Sequence, residues 1–196
     1  ELLEDEADAL PELWRRFLHG LTQNDALRAD YIALVRQLGR FNAHEALNAA
    51  LTKRVEFTCA DAAGVLDDAV PTAGQWFARF APFAQPRDAV LGNERGRSLL
   101  MDAAQALLPG ARTFAERGQQ LHAALQNPDT HAAWSEVQNA LLTDKGEPRK
   151  FNDKLAGIAV VRAAQDELLA VLAAERQQAG HEHHQRMVRL TRRLTA

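Results

Sequence analysis

Cysteine is almost missing from this chain of 196 residues: Cys59 is the only one. That excludes an internal disulfide framework and any zinc site built on thiolates. A reducing compartment, the cytoplasm, is the expected home. Isoleucine occurs only at Ile32 and Ile158, and no segment alternates apolar and polar residues for long, so strands are poorly supported. No uninterrupted apolar run approaches the ~20 residues a membrane span needs, and no signal-peptide pattern opens the chain. Net charge is also small, −3, which argues against a strongly basic nucleic-acid binder taken as a whole.

Two motifs for catalysis are lacking. A phosphate-cradling GxxxxGK[ST] loop does not occur. The run from Gly92 to Ser98 has the wrong spacing and arginine in place of lysine, and reads as a loop leading into a helix. His181-Glu182-His183-His184 lacks the HExxH pattern; His181 and His184 share a helical face, but nothing nearby completes a metal shell. The expectation is therefore no catalytic residue, no metal and no cofactor in this chain, with the histidines on a solvated helix face.

What is present is charge in blocks and apolar residues at helical spacing. Glu1, Glu4, Asp5, Glu6, Asp8 and Glu12 give the first twelve residues −6 without a basic partner. Arg186, Arg189, Arg192 and Arg193 give residues 186–196 +4 without an acid. The chain begins at Glu1 inside a helical pattern and stops without glycine or proline, which reads as a piece of a longer polypeptide. Apolar residues make up 46%, enough for a buried core.

The spacing predicts helices throughout. Leu10, Leu13, Trp14, Phe17, Leu18 and Leu21 fall on one face. Leu27, Tyr31, Leu34, Val35 and Leu38 form the next helix, closed by Gly39. Asn42 with Glu45 reads as a capping-box start for a helix burying Ala46, Leu47, Ala50 and Leu51. Thr72 repeats the capping logic before Trp76, Phe77 and Phe80. Helices then follow from Asn93 to Leu107, through Phe114, Leu121 and Leu125, and from Asp129 or Thr130 through Trp134 and Val137 to Leu141. The longest pattern runs from about Val160 to Leu194, with a polar middle from Glu175 to Arg186. Cys59 and all three tryptophans, Trp14, Trp76 and Trp134, are expected to pack in the interior. The fold expected is an all-α, irregular multi-helix domain over residues 1–196, with a long C-terminal helix. A division into 1–70 and 71–196 is open.

One stretch breaks the helical pattern: Leu141-Leu142-Thr143-Asp144-Lys145-Gly146-Glu147-Pro148-Arg149-Lys150-Phe151-Asn152-Asp153-Lys154. Asp144-Lys145-Gly146 supplies a tight turn, and Pro148 blocks immediate helix formation. Lys145, Arg149, Lys150 and Lys154 are set against Asp144, Glu147 and Asp153. Exposed cations beside an aromatic suit nucleic-acid contact, because phosphates supply most of the affinity. Phe151 either stacks a base or anchors the segment in the core. Read from residues alone, a solvated connector with Phe151 as its plug is the simpler account.

This Leu-Leu-Thr-x-x-Gly-x-x-Arg-Lys run resembles a segment of the UvrD/Rep-type ATP-dependent DNA helicases, above all the AddA/RecB-like helicase-nuclease branch. The acidic opening, the stretch Asn48–Phe57 with its Lys53-Arg54 pair, and the arginine-rich final helix are similar to parts of the same accessory subdomain, called 1B. The resemblance implies a helical insertion in the first motor domain, gripping duplex or forked DNA in double-strand-break repair and recombination. Lys145, Arg149, Lys150, Lys154 and Phe151 are its expected DNA contacts, with Lys53 and Arg54 as further candidates. ATP and Mg would be bound by the parent protein, and any exonuclease activity would also lie there. The implied partners are DNA, the remaining motor domains and a partner subunit of a helicase-nuclease complex; no membrane is implied. The alternative is a helical protein-interaction adaptor without nucleic-acid binding.

Overall fold

The computed structural model describes residues 2–152 and 154–196, and the side chains of residues 10–152 and 154–196. The protein is all-α. Ten α-helices and one short 3-10 turn make up the described elements, with no strand beyond a single bridge. The chain divides into two compact units: residues 1–71 with 179–196, and residues 72–178. The last eighteen residues thus belong with the first segment rather than with the one preceding them.

The first unit contains α1 (Leu2–Gln23), α2 (Asp25–Leu38), α3 (Arg40–Thr52), α4 (Arg54–Ala62) and the final part of α10 (Ile158–Thr195). Asn24 separates α1 from α2, its side-chain oxygen accepting the Leu27 N–H. Gly39, at φ +80, turns α2 into α3 in one residue, a conformation that a Cβ disfavours. The apolar faces close on Trp14, Phe17, Leu21, Leu34, Ala43, Leu47 and Leu51, joined by Leu190 and Leu194 of α10. Trp14 stacks on His44 at 4.3 Å and donates its indole N–H to Asn48 Oδ1.

Several local expectations change here. Leu10 and Leu18 are exposed at 41% and 45%, so the buried stripe of α1 is narrower than its apolar pattern. Asn42 is no cap; α3 starts at Arg40, and Asn42 Nδ2 donates back to the Leu38 carbonyl. Cys59 is exposed rather than packed. The acidic run at residues 1–8 lies outside the described side chains.

The polar middle of α10 is also not a plain solvated face. His181 Nδ1 meets the Val70 carbonyl at 2.7 Å, and His184 Nε2 meets the Leu66 carbonyl at 2.6 Å. Gln185 donates to Asp67 O, while Arg192 pairs with Asp61 and Asp67. None of the residues of segment 61–70 is fully buried, and backbone carbonyls and carboxylates of the segment are paired by this helix. Nearby, Arg189 forms a two-pronged pair with Asp30.

The second unit holds α5 (Ala73–Trp76), the 3-10 turn Ala78–Phe80, α6 (Asp88–Leu91), α7 (Glu94–Leu107), α8 (Arg112–Gln126), α9 (Thr130–Leu141) and α10 up to Gln178. Side-chain caps mark three starts. Thr72 forms a reciprocal capping box with Gln75, Asn93 accepts from Arg95, and Asp129 accepts from His131 and Ala132. Leu100, Leu107, Leu121, Val137, Leu141, Val161, Leu168 and Val171 fill the core. Trp134 is 4% exposed, its indole N–H donated to Glu175 Oε2 at 3.1 Å. Trp76 behaves differently from the other two tryptophans, at 64% exposed; its four-residue helix is too short to bury both sides. Gly92–Ser98 is indeed the joint between α6 and α7. There Arg97 donates to the Leu91 and Leu125 carbonyls.

Candidate nucleic-acid interface

The segment after α9 forms a small hairpin in the second unit. Leu142 bridges Pro148 in antiparallel sense. Thr143 N–H donates to Glu147 O, Gly146 N–H to Thr143 O, and Arg149 N–H to Leu141 O, at 2.8, 2.8 and 3.0 Å. A turn followed by a glycine at φ +75 is the geometry that three-residue hairpin loops adopt, which explains why Gly146 stands there. The tip, Asp144 to Glu147, is exposed. Its base is fastened by Gln165 of α10, only 4% exposed, whose Nε2 donates to both Leu141 O and Arg149 O at 2.9 Å. One buried amide thus ties the outgoing and returning backbones together.

Beyond the hairpin, Phe151 sits edge-on to Phe114 of α8, with ring centroids 5.2 Å apart, and packs against the core. Of the two roles open to Phe151, anchoring is the one its packing realises. Between α8 and the hairpin lies an open groove of about 510 Å³, floored by Phe114, Phe151 and Pro148. Thr113, Arg117, Thr143, Glu147, Arg149 and Lys150 complete its walls. Three cations face one carboxylate there, a local positive surface on a chain whose total charge is negative.

Arg149 is held by its Nε, which donates to the Asn139 carbonyl at 3.0 Å in the last turn of α9. Such carbonyls have no helical partner and carry the negative end of the helix dipole. Lys145 and Lys150 are exposed and have no ion-pair partner among the described residues. Lys154 is exposed just beyond Phe151 and lies off the groove lining. Asp153 lies outside the described residues. Lys53 and Arg54 belong to the first unit, where Lys53 links α3 to α4 and Arg54 opens α4. They are not part of the groove. Two groove-building residues escaped the sequence reading. Arg117 sits on a polar helix face, and Gln165 is a polar residue among the buried positions Val161, Ala164 and Leu168.

No triad of His, Cys, Asp or Glu able to hold a metal ion occurs among the described residues. His181 and His184 direct the nitrogens described above at backbone carbonyls. No described helix is long and apolar enough to cross a membrane. The chain matches no family model, no curated protein and no solved structure.

Proposed function

We propose that this chain is a DNA-contacting accessory unit of an ATP-dependent DNA helicase of the UvrD/Rep type, in its AddA/RecB-like branch, without catalysis of its own. The observation that carries the reading is the groove beside the hairpin, which sets Arg117, Arg149 and Lys150 over an aromatic floor and leaves Lys145 at the adjoining tip. A duplex backbone approaching that groove meets exposed lysines and an arginine held by the Asn139 carbonyl, while the two rings of the floor are packed edge to face on each other. Contact of this kind is electrostatic and independent of sequence. Motor domains elsewhere in the parent polypeptide would bind ATP and Mg and supply the movement.

Fluorescence anisotropy with forked and duplex DNA tests the proposal. Weak binding should appear at low salt and fall steeply with salt, by a log–log slope of about −3 for roughly three phosphate contacts. The K145E/R149E/K150E variant should lose it. No binding at low salt would instead favour the adaptor reading. That alternative draws on the exposed apolar residues of the first unit, Phe41 at 76% and Val55 at 67%.

A further inference from the structure

Two guanidinium groups of the second unit converge on one carbonyl oxygen. Arg149, on the returning arm of the hairpin, donates Nε–H to Asn139 O at 3.0 Å. Arg117, on α8, directs Nη1 at the same oxygen from 3.4 Å, and gives a 2.7 Å bond to Gln120 Oε1. A carbonyl oxygen has room for two donors, but one is enough to cap a helix end. A second cation brought to the same point adds like-charge repulsion that capping alone does not require. The rest of both forks, Arg149 Nη1 and Nη2 and Arg117 Nε and Nη2, has no acceptor among the described residues, and both side chains line the open groove. Of the nearby acids, Glu147 lines the groove but forms no ion pair with either arginine among the described residues, and Glu136 accepts from the Gln120 amide.

We infer that Arg117 and Arg149 form a phosphate clamp, a single site that takes one phosphate group between two planar guanidinium forks. The inference rests on the DNA reading for the source of that phosphate, and goes further in assigning it to one place and one residue pair. Guanidinium forks match paired phosphate oxygens, which a lysine point charge does not. Asn139 O holds the two forks side by side before the ligand arrives. Thr143, whose Oγ1 already accepts the Glu147 N–H, keeps its hydroxyl proton to donate at the same wall. Because Phe114 and Phe151 are packed edge to face, the site selects the phosphate and ignores the base. The shared chemistry is a phosphate mono- or diester, and the test separates a DNA backbone from a free phosphate.

The experiment compares R117Q, R149Q, their double variant and the lysine versions R117K and R149K, with folding checked by circular dichroism. One arm measures anisotropy on duplex DNA across a salt series. The other follows the arginine Nε–H resonances during titration with inorganic phosphate. A clamp acting as one unit predicts roughly a five- to tenfold affinity loss for either glutamine variant, with little more in the double. The salt slope should drop by about one unit in all three. Lysine should restore less than half of the loss. Inorganic phosphate should shift both arginine signals together, and neither in the partner's glutamine variant. Multiplicative losses with a slope change near two would mean two separate contacts and overturn the clamp. Unchanged DNA affinity in both glutamine variants, beside a loss in K145E/K150E, would sink the clamp and leave the DNA reading standing. Joint phosphate shifts without any DNA binding would do the reverse, keeping the clamp with a free phosphate as its ligand.

Discussion

Replacing Gly96 by alanine adds one methyl group where two helices meet with no room between them. A Cβ at that position would stand 2.2 Å from Ala89 O and 2.5 Å from Val90 Cα, both backbone atoms of α6. Ordinary carbon contacts begin near 3.5 Å, so α7 would have to retreat from α6 by about 1 Å. Backbone cannot rotate aside as a side chain can. Overpacking of this kind costs about 1–3 kcal/mol, whereas alanine gains at most about 1 kcal/mol over glycine inside a helix. Gly96 lies in the first turn of α7, where that gain is smaller. The clash therefore wins, by a net destabilisation of about 1–2 kcal/mol and a fall in melting temperature of roughly 5–15 °C for a unit of this size. Gly180→Ala is the matched control. Nothing lies within 4 Å of its would-be Cβ, its φ is ordinary, and it sits inside α10, so the substitution should stabilise by about 0.5–1 kcal/mol. Native-state hydrogen exchange reads the two units separately, through the amides of Leu107 and Val137 for the second and Leu47 and Leu190 for the first. Protection at Leu107 that is unchanged or higher in Gly96→Ala would refute the close α6–α7 approach.

Two further outcomes follow from single side chains. Burial pushes the Glu175 carboxyl up from its ordinary range, against the opposing effects of the Trp134 hydrogen bond and Arg87. A raised carboxyl pKa favours the folded state below the unfolded pKa, and that advantage is lost as pH rises through the folded value. Glu175→Gln keeps an acceptor for the Trp134 indole without the charge, so it should melt higher than the parent at about pH 8, with the gap closing towards about pH 4. A gap independent of pH would contradict this. Cys59, being exposed, should react in full with a thiol reagent in the native protein, and denaturant should add no further equivalents; a thiol that reacts only after unfolding would show the opposite placement.

Much of the local architecture was legible in the chain, because it depends on residues within a turn or two of one another. Thr72, Asn93 and Asp129 announce helix starts through side-chain acceptors three or fewer residues from the amides they satisfy. Gly39 and Gly146 mark turns that need a left-handed backbone, and the apolar spacing of residues 160–194 foretold the long α10. The fold class and the tight turn at 144–146 were therefore accessible from sequence. Contacts between distant segments were not. The spacing of α1 shows an apolar stripe, but only packing decides that Phe17 is enclosed while Leu10 and Leu18 face solvent. The sequence of α10 gives no sign that segment 61–70 lies along it, with backbone carbonyls meeting His181 and His184 and the Asp61 carboxylate meeting Arg192. Arg117 and Arg149 carry no shared motif; they meet because α8 and the hairpin both abut the end of α9. Periodicity and capping are short-range chemistry written residue by residue, whereas a site assembled from three elements exists only once the chain has returned on itself and excluded water between them.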